Sequence, residues 1–187
     1  MSDLPFGWNL PNWLLRREMV ARLAELPNVT FKTGTGFGDM VARSAHALVR
    51  LTDGSAVRAK LVIGADGRGS PVRKSAKIDV KTTRYGQKAI TFAVTHDAPH
   101  SNISTEVHRA GGPFTLVPLP DLAGKPCSAV VWMQMGPVVQ DLMTLSDAAF
   151  SAAATDRSAG TNGTLTLVSK RSVWPIISQC ANRLTAP

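Results

Sequence analysis

The chain of 187 residues is short of several things, and each shortage removes a class of function. It has two cysteines, Cys127 and Cys180, too far apart for a C-x-x-C redox or metal arrangement, so both are expected to be reduced and structural. Tyrosine occurs once, at Tyr85, and aromatic residues make up 6% of the chain, which leaves no stacking surface of the kind that reads single-stranded RNA. No run approaches the roughly 20 apolar residues of a membrane span. The opening MSDLPFGWNLPNW has an early acid and two prolines in place of an apolar stretch, so no secretory signal is expected and the cytoplasm is the expected compartment.

Several motifs are missing as well. GTGFGD, residues 34–39, has the look of a dinucleotide fingerprint, but the fingerprint needs a third small residue where Asp39 stands, and the stretch reads as a turn. No other G-x-G-x-x-G occurs, and no G-x-S-x-G is present to expose a nucleophilic serine. Of the four histidines, His96 and His100 have a helical metal-pair spacing, yet Pro99 between them dictates a loop. No metal site is expected, and His46, His96, His100 and His108 read as satisfied structural residues.

Acids are the scarcer charge: 13 Asp and Glu stand against 21 Lys and Arg, a formal charge of +8. That balance favours phosphate-bearing cofactors, nucleic acid or anionic lipid. The basic residues are scattered, however, the densest groups being Arg16/Arg17, Arg68/Arg73/Lys74/Lys77 and Lys170/Arg171, so a solvated basic surface is expected and nucleic acid is not. Hydrophobic residues form 44% of the chain, enough for a real core.

Periodicity divides the chain near Lys81. Before it, residues 12–26 read as an amphipathic helix with Leu15, Met19, Leu23 and Leu26 on one face, Asn12 as its cap and Pro27 as its stop. Residues 28–33 alternate as a strand. Residues 46–60 read as a hairpin turning at Asp53-Gly54, and LVIG, 61–64, reads as a strand buried on both faces. After Lys81, short β-branched and aromatic runs separated by Gly, Pro and Asn predict a mainly antiparallel sheet, interrupted by one helix over 138–154.

The most suggestive stretch is LVIGADGRGSPVR, residues 61–73. Glycines at the end of a strand let backbone approach a ligand. Asp66 has two readings there: it accepts hydrogen bonds from ribose hydroxyls, or it caps the helix that follows. Gly64, Gly67 and Ser70 supply close approach and donors, and Arg73 carries a planar fork suited to phosphate.

Gly64, Ala65, Asp66, Gly67, Ser70, Val72 and Arg73 fill the pattern G-A-D-G-x-x-S-x-V-R, and the string resembles the DG motif of flavin-dependent aromatic hydroxylases related to para-hydroxybenzoate hydroxylase. NWLLRREMVARLAEL, YGQKA (85–89), STEVHRAGGPFTLVPLPD (104–121), VVWM (130–133) and the terminal R-x-x-W-P-I with A-x-R-L (171–184) are similar to the ubiquinone-biosynthesis branch of that family. The resemblance implies an α/β (α+β) fold: the middle part of a Rossmann-like FAD-binding domain over 1–80, and a substrate-domain sheet returning toward the flavin domain over 81–187. It implies an internal portion of a chain about twice as long, since the family's G-x-G-x-x-G and G-D segments are absent here, and a chain inactive by itself.

The implied activity is FAD- and NAD(P)H-dependent hydroxylation of a phenolic ring on a polyprenylated ubiquinone precursor, with a hydrophobic phenol or quinone precursor as the small-molecule partner. Carried over residue by residue, the cofactor contacts are Asp66, Gly67, Gly64, Arg73 and Ser70, with Arg16 on the first helix and Phe37 beside the adenine; strand 114–119 and residues 85–92 form walls of the substrate pocket. No catalytic base is singled out. Peripheral association with the cytoplasmic face of the inner membrane and membership of a multi-enzyme complex are compatible with this reading. The rival is a non-catalytic module that keeps the sheet for quinone-like ligands.

Overall fold

The computed structural model describes residues 7–186, which form two compact units: Pro11–Thr83 with the described residues from Ser178 onward, and Arg84–Ile177 with the described residues before Pro11. The first unit holds α1 (Asn12–Ala24), the strands β1 (Phe37–Ala42), β2 (Ala47–Leu51) and β3 (Ala56–Ala59), and α2 (Pro71–Ser75). The strands form an antiparallel meander in the order β1-β2-β3, with Met40 opposite Val49 and Val49 opposite Val57. The Asp53-Gly54 hairpin turn forms as the sequence dictates: Gly54 takes φ of 84°, and the Asp53 carboxylate accepts from the Ser55 amide at 2.9 Å.

Local pattern misleads at four places in this unit. Residues 28–33 are not a strand, and Val29 and Phe31 are exposed. Phe37 to Asp39, read as turn, open β1 instead, with a bulge where Gly38 lies so close to Arg50 that a Cβ would stand 2.9 Å from its carbonyl oxygen. Residues 61–64 run extended but pair with no strand, and Leu61 and Ile63 are 74% and 77% exposed rather than buried on both faces. Propensity makes a backbone extended; only a neighbouring edge makes it a strand. The helix α1 exists, but Pro11 precedes it without a side-chain cap from Asn12, and it buries no residue. Among the described residues of this unit, Val49 is the buried apolar one and Ser70 the buried polar one.

The second unit carries the core. Its sheet runs β5 (Thr105–Arg109), β6 (Gly112–Leu122), β7 (Lys125–Met135), β4 (Val80–His96) and β8 (Leu165–Leu167), with β9 (Ser172–Ala181) also paired to β4. Alternate residues of the central strands, Ile90, Phe92, Val94, Phe114, Leu116, Val130 and Trp132, turn to one face and pack against α3 (Gly136–Thr144) and α4 (Asp147–Arg157). Phe150 of α4 is fully buried, its ring 4.8 Å from Phe92 in an edge-to-face contact.

The single helix expected over 138–154 is two. Leu145 is extended, and Ser146 begins α4 by accepting the Ala149 amide at 3.3 Å. Arg171 secures the break: its Nη1 donates to the carbonyls of Leu142 (3.2 Å) and Leu145 (2.9 Å), and its guanidinium sits 4.8 Å from the Phe150 ring centre. His96 is buried between Ser128 (2.9 Å) and the Ala98 carbonyl (2.7 Å), and His100 meets the Leu119 carbonyl at 3.1 Å, as structural histidines should. His46 departs from that expectation: its Nδ1 is buried without a partner. No helix among the described residues is long and apolar enough to cross a membrane.

Candidate functional site

The loop between residues 60 and 73 gathers five of the seven expected cofactor residues. Gly67, at φ of 86°, makes the left-handed turn that swings the chain from its extended run toward α2. Gly64 packs closely against α2: a Cβ there would lie 3.1 Å from the Cγ1 of Val72, which would have to shift by a few tenths of an ångström. Ser70, buried, closes the amino end of α2 by accepting the Arg73 amide at 2.9 Å.

Asp66 is exposed, and its carboxylate accepts the Val72 amide at 3.1 Å. The Ser70 hydroxyl, and after it the Val72 amide and the Arg73 guanidinium, hold the Asp66 carboxyl below the ordinary carboxylate range. Of its two readings, the local one is therefore visible in the fold, while its exposure keeps the outer oxygen surface open. Arg73 donates from Nη1 to the Arg68 carbonyl (3.0 Å) and to Gln179 (3.4 Å), whose amide also donates to Thr82 at 3.1 Å. Gln179, distant in the chain, has no motif around it and was invisible to pattern reading.

A cavity of about 670 Å³ opens beside this loop, and Gly64, Gly67, Ser70 and Arg73 line it. Arg43, Lys60 and Arg183 also line it, without a carboxylate residue among its lining. Asp66, Arg16 and Phe37 do not line it: Arg16 is exposed on α1, and Phe37 is half-buried opposite Leu51.

The sequence matches the FAD binding domain family over residues 5–186. The chain belongs to that family. It is 34% identical over 179 residues to the ubiquinone hydroxylase UbiL of Rhodospirillum rubrum, a match covering 96% of this chain and 41% of that protein. It is 32% identical over 117 residues to the mitochondrial ubiquinone biosynthesis monooxygenase COQ6 of Caenorhabditis elegans, covering 60% of this chain and 26% of the other. The chain thus spans less than half the length of these relatives. Its fold resembles the flavin-dependent monooxygenase PieE, solved in complex with FAD and substrate, with a TM-score of 0.70 at 21% identity over 95% of this chain and 32% of that one. The mixed α/β architecture with antiparallel sheets is that of FAD-dependent monooxygenases.

The loop fits an FAD in chemistry. Around Gly67 and Gly69 nothing lies within 4 Å of where a Cβ would be, so backbone there is free to approach a ligand. The Nε of Arg73 is buried without a partner, a donor that a phosphate oxygen would satisfy.

Proposed function

We propose that this chain is part of an FAD- and NAD(P)H-dependent monooxygenase that hydroxylates a phenolic ring of a polyprenylated ubiquinone precursor. The observation that carries this reading is the loop itself, a full G-A-D-G-x-x-S-x-V-R string folded into a braced turn, in a chain of the FAD-binding family. The names of the two ubiquinone-pathway relatives support the substrate class.

Asp66 and Ser70 face the ribose hydroxyls of FAD, Arg73 its pyrophosphate, and Gly64 and Gly67 let the backbone come close; Arg16 and Phe37 add a basic and an aromatic contact. Bound FAD, reduced by NAD(P)H, would supply the oxygen chemistry. The work of the chain is to hold the group, orient the ring and exclude water. These contacts are few, so the chain taken by itself holds FAD weakly and does not turn over. The cytoplasm is the compartment this reading expects, and a hydrophobic precursor is compatible with peripheral association at the cytoplasmic face of the inner membrane and with a multi-enzyme complex.

A chimera tests this reading. The 179 matched residues of the Rhodospirillum hydroxylase are replaced by the corresponding stretch of this chain, and quinone synthesis is measured in a strain lacking the hydroxylase. Restored synthesis that disappears with Asp66→Ala is the expected result. A chimera that folds with FAD yet yields no hydroxylated quinone would contradict the reading.

A further inference from the structure

Two buried donors at one end of the core sheet have no acceptor among the described residues: the indole N–H of Trp132 and the Nε–H of Arg157. They are 4% and 7% exposed. Trp132 turns into the core beneath α4, and Arg157 is the last residue of α4. The Nη2 of Arg157 donates to the carbonyls of Gly112 and of Arg109, the latter at 3.4 Å. Gly112 precedes by two residues Phe114, the partner of Trp132 across the β6–β7 pairing. The two donors thus belong to neighbouring rows of one face, about 7 Å apart along the strand.

The acceptors around them are already engaged. The Gly111 carbonyl accepts Gln87 Nε2 at 3.0 Å, and Gly112 and Arg109 accept Arg157 itself. The Gln134 side chain occupies the space where a Cβ of Gly111 would stand, and its Oε1 accepts the Met135 amide at 2.9 Å. Arg157 also lacks a counter-charge: among the described residues it makes no ion pair, and the carboxylate of Asp156 is exposed and faces Arg109 at 3.9 Å. Burial, and after it the like charge of Arg109, push the Arg157 guanidinium below the ordinary arginine range, with Asp156 acting in the opposite direction. An arginine nonetheless stays protonated in a protein. The carbonyls that end α4 favour a cation there, but they carry only partial charge.

We propose that a small monovalent anion of halide size, chloride in a physiological buffer, binds between the last turn of α4 and the β6–β7 rows, held by Arg157 Nε and the Trp132 indole. A water molecule would satisfy both donors too, but it would bring two hydrogens of its own into a place where the acceptors are engaged. An anion accepts from both donors, brings none, and supplies the charge that the buried guanidinium lacks. The low exposure of both side chains limits the guest to an ion small enough to enter without its water. Because Arg157 also grips the β5–β6 turn, the bound ion fastens that turn to α4. The inference does not depend on the flavin reading.

The test uses the whole chain without flavin, in sodium gluconate, with chloride replacing gluconate at constant ionic strength. The melting temperature of the parent chain should rise with chloride and level off, since an ion that binds the folded state stabilises it in a saturable way. Arg157→Met, which keeps the stem and removes the donors, should melt at one temperature throughout the series. Trp132→Phe should raise the chloride concentration for half the effect roughly three- to tenfold, as loss of one hydrogen bond does. Crystals of the parent chain grown in sodium bromide give a second reading that does not need the variants to fold: an anomalous peak is expected beside Arg157 Nε. No chloride effect on the parent chain, an equal effect in Arg157→Met, an unchanged midpoint in Trp132→Phe, or bromide found only at exposed cations would each overturn the proposal.

Discussion

The Asp66 carboxylate accepts the backbone amide of Val72 at 3.1 Å, tying the exit of an extended run to the first turn of α2. With the Ser70 hydroxyl beside it, this contact lowers the Asp66 pKa relative to an unfolded chain. A group with a depressed folded pKa stabilises the fold above its unfolded pKa and loses that contribution as pH falls through the folded value. Thermal melts of the parent chain and Asp66→Asn should therefore differ most near neutrality. The difference should shrink toward zero as the pH drops below the ordinary carboxylate range. A difference that does not change with pH would show that charge on Asp66 plays no part in the brace.

Gly67 sets the turn that presents Asp66. At φ of 86° an alanine is strained, and Gly67→Ala should cost about 1–3 kcal/mol, read from urea unfolding. The space beside it is open, so a larger loss could not be assigned to a clash.

Phe150 anchors the other unit. It is fully buried and its ring meets Phe92 and Trp132, at 4.8 and 5.9 Å between centres. Phe150→Ala should destabilise by about 3–5 kcal/mol, with loss of near-ultraviolet dichroism from Trp132. Retention of the parent melting temperature would mean that α4 does not cap the core.

Arg171 binds the carbonyls that end α3. Arg171→Met keeps the stem against Phe150 and removes the donors, leaving those carbonyls without partners. A loss of about 1–3 kcal/mol is expected, with amide exchange rising first at Leu145 and Ser146. Unchanged exchange there would assign the break to Ser146 alone.

What could be read from the chain depended on whether the cause was local. The Asp53-Gly54 hairpin and the long antiparallel runs were legible because turn chemistry and alternation act within a few residues. The division of residues 138–154 is not legible locally even though Ser146 is a capping residue, because the arginine that completes the break comes from residue 171. Residues 28–33 and 61–64 carry strand composition but have no partner edge among the described residues, and pairing is a tertiary fact. In the candidate site, the loop motif was visible residue by residue, whereas Gln179, more than a hundred residues away, reaches Arg73 only through the fold.

The central claim is that the loop from 64 to 73 touches FAD. The most direct measurement is a titration of isotope-labelled chain with FAD, followed by amide chemical shifts, which detects binding too weak to colour the purified protein. Shifts should concentrate at Gly64, Asp66, Gly67, Ser70 and Arg73 and vanish in Asp66→Ala. Shifts confined to other surfaces, or a folded chain whose loop amides stay fixed at saturating FAD, would contradict the account.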